Sequence, residues 1–582
     1  MTEDTVYMSE APKMTYADKP WLKSYKFGPY PLKKTLEPYP EVPLYQILYD
    51  TAEKFPNRPA CLAFGKETSY RTLKDLVDRL ATALAALGVK KGDMVATVIP
   101  NCLQFIIADM GILRAGATHI PCSILHKERD LEHEIGSPGA ETVICIEDNL
   151  PMINAVKDKT KLKNIIVTSW EDYGTNPPEL RDIPGVLQFR TLLDEHEPDP
   201  PDVTIDPKED LAFLCFTGGS TGLPKGVMLT HFNRMANLCQ GLPWMLTPLE
   251  TGIRGKTSIL IPVPLFHAYG HWVVEFALYW GFRIILVPDP RDNDLLVKTM
   301  QEHRPFLVAC VPTQYFRMAQ SKVGRMQTMM MSCAAPLPKV IADAVKNEMG
   351  NPVSESYGLT ETGPLTHLNI SSFSKITGFM KEEKLSLGIP VPDTEVKVID
   401  PGTGKEVPFG EPGIIYSRGP QVMKGYWPTP GSGLEDGWLR TNDIARMDED
   451  GYFYIEDRTK DMINVSGFKV YSTELDAELF NHPDVAIAAV VGIPDPKIPG
   501  SERVKIYIKP KPESKQKLTA DEIIRYCREK FPAYAVPKDP SYVEFRDEFP
   551  LTVTEKLFKN AFRQEEIKKM KERGEFQYDY EG

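Results

Sequence analysis

The chain has 582 residues, 42% of them hydrophobic and 25% charged, and a formal net charge of −12. That length exceeds one ordinary core, so two or more domains are expected, and the acidic balance argues against a nucleic-acid partner, which needs a basic face. No apolar run approaches the ~20 residues of a membrane span, no secretory signal is visible, and the nine cysteines (61, 102, 122, 145, 215, 239, 310, 333 and 527) form no C-x-x-C, which reads as buried, reduced thiols in a cytoplasmic protein.

Residues 1–45, rich in Pro, Tyr and Lys, lack periodicity and read as an arm over a domain or a partly loose end. From about residue 46 the pattern alternates. "RTLKDLVDRLATALAALG" sets Leu73, Leu76, Val77, Leu80 and Leu84 at helical spacing, and Gly88 ends it. "MVATVIP", "TVICI" and "NIIVTS" are short β-branched strands between such helices, so helix-covered parallel sheets are expected. Past residue 380, "GIPVPDTEVKVID", "GIIYSRG" and "GYFYIED" predict a β-rich section. A small α+β section follows, with helices over "STELDAELFNHPD" and "TADEIIRYCREKFP" and strands over "AIAAVVGIP" and "RVKIYIKP"; the boundary falls in "EDRTKDM". The fold class is thus α/β, with a large domain over 1–458 and a small one over 459–582.

Residues 215–231, "CFTGGSTGLPKGVMLTH", carry the chemistry. A G-x-x-x-x-G-K-[ST] loop needs glycine directly before the lysine, but Pro224 precedes Lys225. Gly218-Gly219-Ser220-Thr221-Gly222 formally matches a nucleophile elbow, yet Gly222, Pro224 and Gly226 oppose the helix that must follow the serine. The remaining reading is another phosphate loop: glycines expose backbone N–H groups, while hydroxyls and a lysine add donors and charge.

Here the sequence closely resembles the adenylate-forming superfamily of acyl-CoA synthetases, peptide-synthetase adenylation domains and luciferases. "TGGSTGLPKG", "SYGLTETGP" (356–364), "GWLRTND" (437–443), "DRTKDMINVSGFK" (457–469) and a late lysine in "PLTVTEK" (550–556) come in that family's order, with "PLFHAYG" (264–270) and "SCAAPL" (332–337) between them. The resemblance implies a large N-terminal AMP-binding domain and a mobile C-terminal lid. It also implies two steps, formation of acyl-AMP and pyrophosphate from ATP, then displacement of AMP by the thiol of CoA. Thr217, Ser220, Thr221 and Lys225, with Gly218, Gly219 and Gly222, would hold the outer phosphates. Glu361 would bind Mg²⁺, a hard cation suited to carboxylate and phosphate oxygens, and Thr360 would contact the α-phosphate. Ala334, Ala335 and Pro336 would face Tyr357 across the adenine, with Glu355 near its amino group; Asp443 and Arg458 would grip the ribose. Lys556 and His267 join Thr360 as implied catalytic residues. Lys460 would be the hinge, and Ser466 and Gly467 would meet the CoA arm. Three positions depart from the family pattern: Asn442 in the usual T-G-D, Cys333 after Ser332, and Glu555 before the late lysine.

The acyl pocket is expected past His267, Trp272 and the strand holding Met329 to Cys333. Gly358 stands where acetate-using relatives carry tryptophan, and the opening "KPWLKSY…LEPYPEVPLYQIL" resembles long-chain fatty acyl-CoA ligases. A medium- to long-chain fatty acid is therefore expected, with an aromatic or alicyclic acid as the alternative and peripheral membrane contact left open. A Ser220 hydrolase, or an inactive nucleotide-binding protein, is the alternative of another class. The bland alternative for Lys556 is a solvated basic tail, of the kind nearby Lys559, Lys568 and Lys569 suggest.

Overall fold

The computed structural model describes residues 14–217, 223–289, 291–376, 384–552 and 557–576. Two large sheets organise it. The first runs Gly425–Tyr426, Lys225–Thr230, Leu211–Thr217, Thr118–Pro121, Met94–Val98, Thr142–Ile146, Asn164–Thr168, Leu187–Gln188, and is parallel from Leu211–Thr217 onward. The second runs Ile389–Pro390, His367–Leu368, Val353–Tyr357, Met329–Ser332, Leu307–Cys310, Ser258–Ile261, Arg283–Leu286, Pro59–Ala63, Lys66–Ser69, with a parallel centre. Strands such as Thr142–Ile146 and Met329–Ser332 are buried at every position, as expected where helices cover both faces.

The helix Tyr70–Ala86 shows how sequence sets these layers. Ser69 accepts the N–H of Thr72 at its start, and Gly88, at φ +92°, turns the chain after its end. Between them Leu73, Val77, Leu80 and Leu84 are fully buried, each stabilising the fold by roughly 1.5–3 kcal/mol relative to exposure.

A third, antiparallel sheet holds Glu395–Ile399, Gly413–Arg418, Trp438–Met447 and Phe453–Arg458, with the short Leu434–Glu435. The C-terminal section has a hairpin, Ile463–Val465 with Phe468–Val470, and a sheet of Val485–Pro494, Glu502–Pro510 and Val543–Phe545. Helices Ser472–Phe480, Ala520–Lys530 and Lys559–Glu572 cover it. It owns a separate apolar core built on Leu475, Val490, Ile506 and Ile523.

Residues 14–45 are tied down. Trp21 and Phe27 join the main core, Tyr25 OH donates to the Pro390 carbonyl at 2.7 Å, and Ser24 Oγ donates to the Asp450 carbonyl at 2.7 Å. All nine cysteines are free thiols, eight of them buried. The solvated-tail reading is corrected at Lys559: its ammonium lies 2.5 Å from Asp476 and donates to Ser472 Oγ at 2.7 Å, while Lys568 stays exposed.

Candidate functional site

The strand Val353–Tyr357 ends at the junction of the second and third sheets, and its alternation puts Glu355 and Tyr357 on one face. The Tyr357 hydroxyl donates to Asp443 Oδ2 at 2.8 Å, and Asp443 Oδ1 receives Arg458 Nε at 3.0 Å. Asp443 and Arg458 are directly opposite on neighbouring antiparallel strands, so the sheet register makes the pair. Burial and the Asp443 carboxylate hold the Tyr357 phenol far above its usual range, which keeps it a donor. Asn442, one of the departures, sits at φ +61°. Asparagine tolerates that left-handed geometry better than most residues, so it replaces the usual glycine with little strain.

Glu355 is buried and accepts the Leu337 N–H at 3.1 Å. That bond ties it to the segment Ala334–Pro336, which is partly open and begins with Ala334 at φ +73°. Burial pushes the Glu355 carboxyl up to about 8.

Glu361 lies in the short turn Thr360–Thr362, closed by the Thr362 N–H on the Leu359 carbonyl. Its Oε1 accepts from Tyr426 OH at 2.7 Å, and its carbonyl accepts the Met423 N–H at 2.8 Å. Lys225 Nζ sits 4.9 Å over the Tyr426 ring. Tyr426 therefore links the two, its ring facing the ammonium and its hydroxyl the carboxylate. Sequence reasoning missed Tyr426; its signal was the "KGYW" stretch, whose Gly425–Tyr426 pairs with Lys225–Thr230. Thr217 and Lys225 face each other across the first sheet, while Gly218, Gly219, Ser220, Thr221 and Gly222 lie outside the described residues, as does Lys556.

The other expected residues divide. His267 caps the helix Ala268–Trp280, its Nδ1 accepting the Tyr269 N–H at 3.4 Å. Trp272 is buried and stacked on Phe276, with its ring edge 2.2 Å from where a Cβ on Gly241 would stand, and Cys333 is also buried in the main core. Phe266, next to His267, lines a groove with Asn101, Leu125, Val263 and Val311, at the carboxyl ends of strands from both large sheets. Open α/β sheets bind ligands at such ends. Ser466 and Gly467 form the exposed turn of the C-terminal hairpin, and their amides bond Ser501 and Asn464 rather than any residue of the Tyr357–Asp443 group.

Gly358 does not open onto free space along its Cβ direction. A methyl there would meet the Pro364 carbonyl oxygen at 1.7 Å. The expectation that tryptophan at this position simply shortens a channel is corrected: Gly358→Ala and Gly358→Trp should both lower Tm and cut activity on short and long acids alike, and a thermal melt beside an acid panel checks it. A stable Gly358→Trp protein with altered chain-length preference would restore the channel reading.

Lys460 is the exposed centre of a turn closed by the Asp461 and Met462 N–H groups on the Arg458 carbonyl. Just before it, Asp457 accepts from Ser472 N and from Thr473 Oγ1, so a carboxylate of the third sheet caps a helix of the C-terminal section.

Comparison with known proteins agrees with this arrangement. Residues 48–427 match the AMP-binding enzyme family and residues 474–556 the AMP-binding enzyme C-terminal domain. A long-chain-fatty-acid–CoA ligase of Yersinia pestis is 33% identical, covering 95% of this chain and 99% of its own length. A feruloyl-CoA synthase of Amycolatopsis sp is 30% identical over 88% of this chain and 96% of its own. Among solved structures, ATP-bound MatB from Rhodopseudomonas palustris superposes with a TM-score of 0.78 at 25% identity, covering 91% of this chain and 99% of that one.

Proposed function

Because the chain belongs to the AMP-binding enzyme family and is an AMP-forming acid–thiol ligase, we propose that it activates a medium- to long-chain fatty acid and transfers the acyl group to CoA. The observation that carries the reading is the convergence of Tyr357, Asp443 and Arg458 with Glu361, Tyr426 and Lys225 around one strand end. The similarity to long-chain-fatty-acid–CoA ligases supports the acid class, and the feruloyl-CoA synthase keeps an aromatic acid as the second reading.

In this reading Asp443 and Arg458 hold the ribose hydroxyls, Tyr357 and Ala334–Pro336 flank the purine, and Thr217 with Lys225 grips the outer phosphates. The donor set at Glu361, one carboxylate with a tyrosine hydroxyl beside it, fits Mg²⁺, which takes one or two carboxylates and leaves its other positions to water and phosphate. Bound there, Mg²⁺ would neutralise phosphate charge. Lys225 and Lys556 supply the remaining positive charge where it accumulates, as the acid's oxygen attacks the α-phosphate and pyrophosphate leaves. The groove beside Phe266 and His267 gives the acid or the CoA arm a way in. We place the hinge at Lys460, between domains spanning 1–458 and 459–582, and assign Ser466 and Gly467 to the CoA arm after rotation. Acid, ATP and Mg²⁺ without CoA should give acyl-AMP and pyrophosphate, and adding CoA should release AMP and sustain turnover; ADP and phosphate would refute the mechanism. Assay across saturated C6–C18 acids beside benzoate and ferulate decides the acid class.

Glu355 gives a pH prediction. A neutral carboxyl offers a donor and an acceptor together, as an amide does, and adenine presents the complementary pair on its amino edge. Burial favours that neutral form up to about pH 8. Its contribution to stability is complete below the ordinary carboxyl range near 4.5 and is lost as pH rises through about 8. ATP affinity should therefore fall between pH 7 and 9, and Glu355→Gln should bind comparably at pH 7 with a flattened profile. An equally steep fall in Glu355→Gln, measured by calorimetry, would separate Glu355 from the purine.

A further inference from the structure

Beneath the turn that carries Glu361 lies a chain of charged side chains that nucleotide contact does not use. Arg234, on the helix His231–Gln240, donates from Nη1 to the Gly363 carbonyl at 2.9 Å. Its Nη2 stands 2.7 Å from Glu275 Oε1. Glu275 lies one turn beyond His271 on the helix Ala268–Trp280, 3.8 Å from His271 Nε2, and that nitrogen is 2.9 Å from Asp109 Oδ2 on the helix Leu103–Arg114. Asp109 Oδ1 bonds His119 Nδ1 at 2.8 Å, and His119 Nε2 meets Thr97 Oγ1 at 2.8 Å, on strands Thr118–Pro121 and Met94–Val98. The five ionisable side chains are at most 1% exposed. Cys215, on Leu211–Thr217, faces the same cluster, and burial pushes its thiol up to about 12, so it adds no charge.

The charges do not cancel as drawn. One guanidinium faces two carboxylates in a dry core, where an uncompensated charge is prohibitive. Burial raises the Glu275 carboxyl although Arg234 opposes it, and burial lowers His119. Asp109 is the exception: burial works against its carboxylate, yet the flanking His271 and His119 hold it below the usual range. One guanidinium against two carboxylates therefore leaves a need for further positive charge beside Asp109 and Glu275, where the two imidazoles stand.

We propose that Arg234, backed by Glu275, His271, Asp109 and His119, is a positioning network that fixes the turn bearing Glu361 for the metal–nucleotide step. The proposal rests on the adenylation reading above. The planar guanidinium serves both ends of this link, one nitrogen on the Gly363 carbonyl and one on Glu275. One helical turn on, Asn237 bonds both backbone groups of Leu365, at 2.7 and 3.1 Å. The helix that follows Lys225–Thr230 therefore pins the segment after Glu361 from behind, while the Met423 N–H pins Glu361 itself from the other side. A loop carboxylate that must meet a cation and two phosphates within a fraction of an ångström needs that backing.

The test is titration calorimetry of MgATP, with both half-reactions run alone. Arg234→Met should weaken MgATP binding tenfold or more and raise the KM for MgATP. Conversion of supplied acyl-AMP and CoA should stay within about twofold of wild type. Arg234→Lys, which keeps the charge without the fork, should fall between. The double variant Arg234→Met/Glu275→Met removes both partners, a change buried pairs often tolerate; it should keep the wild-type Tm yet still bind MgATP weakly. If it keeps both Tm and MgATP affinity, the network is only structural and the proposal fails. If it does not fold, wild-type affinity in Arg234→Lys overturns the proposal by the same titration. Elemental analysis showing a stoichiometric transition metal that is lost in His271→Leu would also overturn it, by making the cluster a metal site. Calorimetry needs no acid, so a wild type that binds MgATP but yields no AMP with any acid refutes the reaction reading and leaves this test standing.

Discussion

Lys556→Ala is expected to lose acyl-adenylate formation by several orders of magnitude while converting supplied acyl-AMP and CoA to acyl-CoA at near the wild-type rate. The reason is electrostatic. Two anions, a carboxylate and the α-phosphate, must approach in the first step, and a positioned ammonium offsets the charge that builds between them. In the second step the thiol attacks a mixed anhydride whose leaving group is AMP, and under the proposed rotation about Lys460 the lysine would by then have left the site. Lys460→Pro should show the opposite pattern. A proline φ near −65° cannot follow a swing, and the turn at Lys460 is closed by the amides of Asp461 and Met462, so proline costs none of those bonds. Asp457, whose carboxylate spans the hinge to Ser472 and Thr473, would then stay latched. The measurement is each half-reaction alone, with wild type beside both variants. Comparable damage to both steps in Lys556→Ala would sink the two-conformation account, and Glu555 would be the first place to look for a different geometry.

Asp443→Ala should weaken ATP binding by ~1–3 kcal/mol, the usual loss for hydrogen bonds to a charged group, or roughly 5- to 150-fold. It removes more than a ribose contact. The Tyr357 hydroxyl loses its acceptor and Arg458 its counter-charge, so the purine wall and the guanidinium both lose their fixed positions. Asp443→Asn retains an acceptor for Tyr357 and should lie between alanine and wild type. Calorimetry with ATP, beside a melt to exclude unfolding, checks both; unchanged affinity in Asp443→Ala would take Asp443 out of the site.

Periodicity and turn chemistry were enough to read the layers. The helix from Tyr70, the strands "TVICI" and "NIIVTS" and the helix opened by Thr519 stand where hydrophobic spacing puts them. Residues inside contiguous motifs were legible for a similar reason: Tyr357, Asp443 and Arg458 are named by motif, the sheet register pairs Asp443 with Arg458, and the Tyr357 hydroxyl reaches Asp443 from another sheet. What sequence could not show was contact between distant segments. Tyr426 meets Glu361 across 65 positions, and Arg234 meets Gly363 across 129. Nor does a glycine reveal whether its missing side chain leaves room or only avoids a collision; at Gly358 a carbonyl oxygen fills the space. Lys559 looked like solvated tail because a lysine among lysines carries no local sign of the half-buried carboxylate, Asp476, that receives it.

The arm has a consequence for the order in which the molecule can be built. Its anchors lie far along the chain: Tyr25 bonds Pro390, Leu36 and Tyr39 bond Asp393, and Ser24 bonds Asp450, separations of 354 to 426 residues. During synthesis Tyr25 can meet the ring of Trp244, at 4.8 Å, once the middle of the chain is made, but these hydrogen bonds wait for roughly 20–85 s at about 5–20 residues per second. Trp21, which packs against Gly451, thus waits longest, a window in which a chaperone or a neighbouring ribosome's product competes for it. Closing so wide a loop comes late for entropic reasons, so the arm is the clasp that finishes folding, and the yield of active enzyme should respond to translation speed and chaperone supply more than to the stability of either large sheet.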